Sequence, residues 1–138
     1  MSKMDQKKLT LQSTFQELKR LGSFQKKVKK WANIDDEKFG QVRLAVNEAV
    51  TNAIVHGNKE NPDKKVEIIA LKPEKKLQVS VQDEGTGFDP DDIKNPTKEN
   101  KLLNDSGRGV FLIKEYADEV RFLKGGTKLV MTFNLAKK

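Results

Sequence analysis

The 138-residue sequence predicts an α+β fold, a two-layer α/β sandwich whose mixed, mostly antiparallel sheet carries helices on one face. Short apolar segments come in pairs separated by turn residues, a pattern typical of antiparallel hairpins. Helical periodicity lies between these pairs, whereas a doubly wound parallel sheet would need strands and helices to alternate strictly. A chain of this length is expected to form one domain over residues 1–138.

The first predicted elements are a short edge strand over residues 8–13 and a helix that follows it. The helix begins at Thr14 as its N-cap, and apolar residues at helical spacing continue it to Trp31. Gly22 and Ser23 lie inside this pattern and are expected to interrupt it.

The second predicted helix begins at Asp35 or Asp36, both suitable N-caps, and ends at Gly57. Its apolar face should pack on the sheet. That face consists of Phe39, Val42, Ala45, Val46, Ala49, Val50, Ala53 and Ile54.

Two hairpins follow, one on each side of a long aperiodic segment. The predicted strands are residues 66–71, 77–81, 120–123 and 127–133, with turns at Pro73 and at Gly125–Gly126. Residues 83–108 show no sustained period, and a segment of that length in a small domain is more often a functional lid than a passive connector. Residues 109–116 are expected to be helical.

Composition excludes several classes of protein. The absence of cysteine excludes disulfides, thiolate metal sites and cysteine nucleophiles. No apolar run approaches the ~20 residues that cross a bilayer, and residues 1–10 lack the apolar stretch of a signal peptide. A cytoplasmic protein without membrane association is expected.

The charge balance is basic, with 27 Lys and Arg against 20 Asp and Glu and a net charge of +7. A basic cluster lies on the first predicted helix and consists of Lys19, Arg20, Lys26, Lys27, Lys29 and Lys30. Aromatic residues do not interleave with it as base-stacking platforms would, so direct nucleic-acid binding is not expected. A solvated helix face is the favoured interpretation, and an acidic partner is the alternative.

A polar stripe runs along the second predicted helix. Glu48, Asn52 and His56 recur every four residues and therefore lie beside the apolar face. Each residue alone would be explained as the polar flank of an amphipathic helix. Together they offer a carboxylate that can polarise a hydroxyl and, one turn later, an amide oxygen suited to a hard cation. His56 is better explained as a structural hydrogen-bonding residue.

Two glycine-rich segments add candidate ligand contacts. Asp83, Gly85 and Gly87 follow a predicted strand directly, where glycines allow the backbone to approach a flat ligand and Asp83 can accept a hydrogen bond from an exocyclic amine. Gly107 and Gly109 precede a predicted helix, whose free N–H groups can bind phosphate. Either segment alone is a weak signal, because hairpin turns and helix starts use the same residues.

The motifs occur in the order E-x-x-x-N-A-x-x-H, D-x-G-x-G, G-x-G and G-G-T, and this set resembles the GHKL superfamily of ATP-binding domains. The superfamily includes gyrase-type, chaperone, histidine-kinase and mismatch-repair domains, and the resemblance covers residues 36–135. It implies the Bergerat-type sandwich, ATP and Mg²⁺ as cofactors, and a lid over residues 89–106.

The resemblance also implies residue roles. Glu48 is similar to the family's general base, Asn52 to its Mg²⁺ ligand, and Asp83 to the aspartate that recognises the adenine amino group. Thr127 corresponds to a threonine in the adenine network. The positions implied to bind the cofactor are Asn52, Asp83, Gly85, Gly87, Gly107, Arg108, Gly109, Val110 and Thr127.

Within the superfamily, residues 46–53 and 107–113 are similar to the bacterial anti-sigma-factor serine kinases, which are single domains of this size. This resemblance implies a protein that holds a sigma factor and uses Mg-ATP to phosphorylate a serine or threonine of a small antagonist protein. Members of this group are often dimers, and no residue here indicates which face would pair.

Two other interpretations stay open at the level of sequence. The chain could bind ATP and act as a partner switch without kinase activity, although Glu48 argues against this. It could also be a bare histidine-kinase-type catalytic module that acts on a separate protein, because its one histidine, His56, lies within the nucleotide motif.

Overall fold

The structure, a computed structural model, describes residues 6–85 and 113–135. The helices and strands in this part of the chain are β1 (Gln6–Gln12), α1 (Leu18–Ala32), α2 (Asp36–Asn52), β2 (Lys65–Leu71), β3 (Lys76–Gln82), β4 (Glu119–Leu123) and β5 (Lys128–Asn134). Residues 113–116 are also helical, so the described end of the helix predicted over residues 109–116 is present.

The five strands form one sheet in the order β1-β2-β3-β5-β4, and each neighbouring pair is antiparallel. The predicted hairpins β2–β3 and β4–β5 are both confirmed, with strand ends shifted by at most one residue. β1 lies at the edge of the sheet, as expected, and pairs with β2 alone among the described strands. The predicted α+β fold is therefore confirmed.

One face of the sheet forms the core with the two helices. Burial alternates strictly along β2 and β3, as expected for strands with one covered face. The alternate residues belong to a single hydrophobic cluster with the apolar sides of α1 and α2. Its fully buried members include Leu11, Ile54, Ile68, Leu77 and Phe133.

The expected interruption of α1 at Gly22 and Ser23 is wrong, because the helix is continuous from Leu18 to Ala32. A glycine in a helix interior costs only about 1 kcal/mol relative to alanine. The buried side chains of Leu21 and Phe24, on either side of the Gly22–Ser23 pair, outweigh that cost.

α2 begins at Asp36 and is capped by Asp35, one of the two predicted N-caps, whose side-chain Oδ1 accepts a hydrogen bond from Lys38 N over 2.8 Å. The α-helix ends at Asn52 and continues as a π-helical turn, Ala53–Gly57. Asn58 N donates to Ala53 O over 2.8 Å, the wider i to i+5 spacing of such a turn. The predicted end of the helix at Gly57 is thus confirmed. The apolar periodicity of the sequence does not predict that the last turn is π-helical.

Among the described residues, no helix combines the length and the apolar character that a membrane crossing requires.

Candidate functional site

The predicted polar stripe lies on α2 and the turn that extends it. Glu48 and Asn52 are partly exposed, while Ala49, Val50 and Ala53 next to them are buried in the core. The apolar side of α2 therefore anchors the helix and leaves both polar side chains at its boundary with solvent. His56 lies in the π-helical turn and is also partly exposed.

Asp83 directly follows β3 and is held by main-chain contacts. Its N–H donates to Thr127 O over 2.9 Å, and its side-chain Oδ1 accepts from Gly85 N over 2.8 Å. Burial raises the pKa of the Asp83 carboxyl, while the Gly85 N–H and the charge of Lys64 act in the opposite direction. The structure thus places a half-buried carboxylate at the end of a central strand.

Two glycines allow the end of α2 to meet the Asp83 loop. A Cβ atom on Gly57 would overlap the Asp83 carboxylate, and one on Gly85 would overlap the carbonyl oxygen of Gly57. Only hydrogen atoms fit at these two positions. The sequence predicts Gly57 only as the end of the helix, and its contact with Asp83 connects the polar stripe to the loop after β3.

Asn58 joins the same elements by hydrogen bonds and is missed by sequence reasoning, which treats it only as part of the helix break. Its side chain is 1% exposed. Its Nδ2 donates to Ser13 Oγ over 2.8 Å and to Lys65 O over 3.0 Å, and its Oδ1 accepts from Glu84 N over 2.7 Å. Buried amides with every bond made are rigid, so Asn58 fixes the position of the loop that contains Asp83.

Glu84 completes this network from the opposite side. Its carboxylate Oε2 accepts a hydrogen bond from Lys65 N over 2.8 Å, and Ser13 Oγ donates to Lys64 O over 2.8 Å. The start of β2, the end of β1 and the loop after β3 are therefore joined around Asn58. No single motif in the sequence signals this arrangement, because its members come from four separate segments.

Thr127 lies directly before β5 and is hydrogen-bonded to Asp83. Its carbonyl oxygen accepts from Asp83 N, while its Oγ1 donates to Lys124 O over 2.9 Å within the β4–β5 turn. The main chain of Thr127, not its hydroxyl, is what contacts the aspartate. Its predicted part in an adenine network stays a prediction.

Several predicted site residues lie outside the described part of the chain: Gly87, Gly107, Arg108, Gly109, Val110 and the predicted lid over residues 89–106. The structure brings Asp83, Gly85 and Thr127 together with the turn that ends the Glu48–Asn52 helix. The roles of all these residues in binding a nucleotide remain predictions.

The donor set fits a magnesium ion shared with phosphates better than a metal held by protein alone. In residues 6–85 and 113–135, no three His, Cys, Asp or Glu side chains gather as a metal cluster. Mg²⁺ is commonly held by one or two protein oxygens together with substrate phosphates and water. The partly exposed amide of Asn52 is the predicted source of one such oxygen.

Comparison with known proteins gives a matching family and several similar proteins. A family model described as a histidine kinase-like ATPase domain matches residues 12–133. The chain is 32% identical over 106 residues to an anti-sigma F factor of Oceanobacillus iheyensis, with 73% of each chain covered. It is 34% identical over 101 residues to an anti-sigma F factor of Bacillus cytotoxicus, covering 70% of this chain and 69% of the relative. It is 31% identical over 114 residues to the serine-protein kinase RsbW of Listeria monocytogenes, covering 78% and 73%.

Proposed function

We propose that this chain, which belongs to the histidine kinase-like ATPase domain family, is an Mg-ATP-dependent serine/threonine protein kinase that also acts as an anti-sigma factor. The observation that carries the proposal is the junction of the Glu48–Asn52 helix with the Asp83 loop through Gly57 and Gly85. Relatives named as anti-sigma F factors and as a serine-protein kinase, each at least 31% identical, support the same assignment.

In the proposed site Asp83 recognises the nucleotide base. The loop hydrogen bonds hold its carboxylate in place, and a carboxylate oxygen accepts a hydrogen bond from the exocyclic amine of adenine. Because Asn58 and Gly85 fix this loop before any ligand binds, the loop loses little conformational entropy when the nucleotide binds.

In this proposal α2 provides two of the residues that act on the phosphates. Asn52 would hold Mg²⁺ through its amide oxygen, and a bound ion would neutralise phosphate charge. Glu48, one helical turn before Asn52, orients the acceptor hydroxyl and takes its proton while the hydroxyl oxygen bonds to the γ-phosphorus and the bond to ADP breaks. Arg108 and the N–H groups near Gly107 and Gly109 stabilise the developing charge.

The proposed protein partners are a sigma factor, which the chain sequesters, and a small antagonist protein, which it phosphorylates on a serine or threonine. We propose a cytoplasmic location, where both ATP and the transcription machinery are found. Phosphorylation would release the antagonist and leave the sigma factor bound.

Phosphoryl transfer to protein tests this proposal. The purified chain is mixed with Mg²⁺, γ-labelled ATP and a candidate antagonist encoded beside its gene, and the product is treated with acid. The expected result is acid-stable label on a serine or threonine. An acid-labile product would instead indicate histidine phosphorylation, and ATP binding without any label would indicate a partner switch without kinase activity.

A further inference from the structure

Ser13 directly follows the edge strand β1 and is completely buried, with 0% of its surface exposed. A buried hydroxyl costs free energy unless it makes hydrogen bonds. Ser13 Oγ makes two of them, since it donates to Lys64 O over 2.8 Å and accepts from Asn58 Nδ2 over 2.8 Å. The hydroxyl therefore has a fixed partner on each side, although Ser13 is not among the residues proposed to contact the nucleotide.

These bonds decide which way the side-chain amide of Asn58 faces. A hydroxyl has one proton, and Ser13 gives it to Lys64 O, so Oγ meets Asn58 as an acceptor. Lys65 O is the second acceptor for Asn58 Nδ2, at 3.0 Å. Both Nδ2 protons are thus taken, and Oδ1 is left to accept from Glu84 N. A reversed amide would set its NH₂ group against the Glu84 N–H, two donors with no acceptor between them.

The effect of Ser13 reaches the Asp83 loop through this amide. Glu84 N, which lies 2.7 Å from Asn58 Oδ1, belongs to the peptide bond that joins Asp83 to Glu84. The next N–H along the chain, that of Gly85, donates to the Asp83 carboxylate over 2.8 Å. Two consecutive hydrogen bonds, through the Asn58 amide, therefore connect the Ser13 hydroxyl to the backbone that carries the Asp83 carboxylate.

Recognition of a base by this carboxylate depends on its direction as well as its position, because a hydrogen bond weakens steeply when its angle leaves the preferred range. Gly57 limits the Asp83 carboxylate only by close contact, which acts without a preferred direction. The bond from Glu84 N to Asn58 is directional. A correctly oriented Asn58 amide is therefore needed to aim the acceptor oxygen of Asp83.

We propose that Ser13 is a positioning residue for recognition of the nucleotide base, acting through the Asn58 amide on the carboxylate of Asp83. The proposal rests on the base contact of Asp83 in the proposed function. It makes the end of the edge strand a part of the structure that selects the nucleotide. A hydroxyl that served only to stabilise this strand end would change the free energy of unfolding and leave the choice of base unaffected.

Two nucleotides distinguish these roles in the full chain. The first is Mg-ATP, and the second is the Mg²⁺ complex of purine riboside triphosphate, which has a hydrogen atom in place of the exocyclic amine. Calorimetric titration measures the affinity for each. In Ser13→Ala the affinity for ATP should fall by about tenfold or more, the effect of one impaired hydrogen bond to a charged group. The affinity for the analogue, which lacks that bond, should fall by less than about threefold.

Ile68→Val is the matched control, because it removes one methylene group from a fully buried position of β2 and takes away no hydrogen-bonding group. It should lose some stability, since it leaves a small cavity, and keep both affinities within about twofold. Equal losses of affinity for the two nucleotides in Ser13→Ala would overturn the proposal, as would no loss for either.

Hydrogen exchange in the nucleotide-free protein gives a second measurement. Ser13→Ala should speed exchange of the Glu84 amide by about tenfold relative to that of Val79 in the interior of β3, because the acceptor of the Glu84 N–H is less well held. Ile68→Val should leave this ratio of exchange rates unchanged. An unchanged ratio in Ser13→Ala would overturn the proposal.

Ser13→Cys is the second variant, since a thiol is only a weak donor and a weak acceptor. It should lose affinity for ATP selectively, in the same direction as Ser13→Ala, and it decides the question if Ser13→Ala does not fold. Failure of the unchanged protein to bind Mg-ATP would refute the proposed function itself. If the unchanged protein binds ATP and discriminates against the analogue, but neither serine variant loses this discrimination, only the role of Ser13 is refuted.

Discussion

Asn58 Oδ1 accepts a hydrogen bond from the backbone N–H of Glu84 over 2.7 Å, across 26 positions of sequence. The bond joins the turn that ends the Glu48–Asn52 helix to the loop that contains Asp83. Since Nδ2 of the same side chain donates to Ser13 Oγ and Lys65 O, one buried amide connects four segments. The relative placement of the proposed phosphate and base contacts therefore depends on Asn58.

Replacement Asn58→Ala should destabilise the protein and weaken ATP binding together. The change leaves the buried partners of the amide without their bonds, at about 1–3 kcal/mol for each unsatisfied group. We expect the free energy of unfolding, measured in urea, to fall by about 2–4 kcal/mol. Asn134→Ala is the control, because Asn134 is exposed and its side chain makes no hydrogen bond to the described residues. A loss as small as that of the control would contradict the account.

Two glycine-to-alanine replacements distinguish a glycine that is required for a close backbone contact from one that only lowers helix propensity. Gly85→Ala should be strongly destabilising or displace the Asp83 loop, because the new Cβ would overlap the carbonyl oxygen of Gly57. Gly22→Ala should stabilise the protein by about 0.5–1 kcal/mol, since nothing described lies within 4 Å of the new atom and alanine favours the helix. Thermal unfolding of both variants measures the difference. Equal effects of the two replacements would show that the Gly57–Gly85 contact is not required.

The raised pKa of Asp83 has a consequence for stability against pH. A group whose pKa is higher in the folded state contributes stability below its unfolded pKa, and this contribution is lost as pH rises through the folded value. Ionisation of the Asp83 carboxyl therefore lowers the stability of the folded protein at neutral pH. Asp83→Asn should leave the nucleotide-free protein equally or more stable at pH 7, with that advantage disappearing below about pH 3.9. A large loss of stability at pH 7 would contradict the direction of this pKa shift.

The same replacement should remove nucleotide binding. In Asp83→Asn the new side-chain amide would keep an oxygen that accepts from Gly85 N–H, but it would present an NH₂ group where the exocyclic amine needs an acceptor. Saturating Mg-ATP should raise the thermal midpoint of the unchanged protein by several degrees and that of Asp83→Asn by almost nothing. Asp63→Asn, at an exposed position, should retain the full shift. An undiminished shift in Asp83→Asn would remove Asp83 from the base contact.

Local patterns in the sequence were sufficient for most of the fold. The apolar period of α2, its Asp35 cap and the paired alternating segments predicted the elements correctly, because each depends on neighbours within a few residues. The expected break at Gly22 was wrong because tertiary burial outweighed a local preference. The family resemblance drawn from the ordered motifs is confirmed by the match over residues 12–133.

The sequence did not predict the contacts that hold the candidate site together. Gly57 and Asn58 looked like ordinary residues at a helix end, and their partners Asp83, Glu84 and Gly85 lie more than about 20 positions away along the chain. The π-helical turn Ala53–Gly57, which Asn58 follows, is only five residues long and is too short to show a period of its own. Motif order could therefore identify the site, but not the residues that hold it together.

The most direct test of the central claim compares Glu48→Gln with the unchanged protein in two measurements on the same samples. Calorimetric titration gives the affinity for Mg-ATP, and labelled ATP gives the rate of transfer to the antagonist. If Glu48 takes the proton of the acceptor hydroxyl, transfer should slow by about 100-fold or more while ATP affinity changes by less than about threefold. Transfer at the unchanged rate, or an equal loss of affinity and rate, would contradict the proposed kinase mechanism.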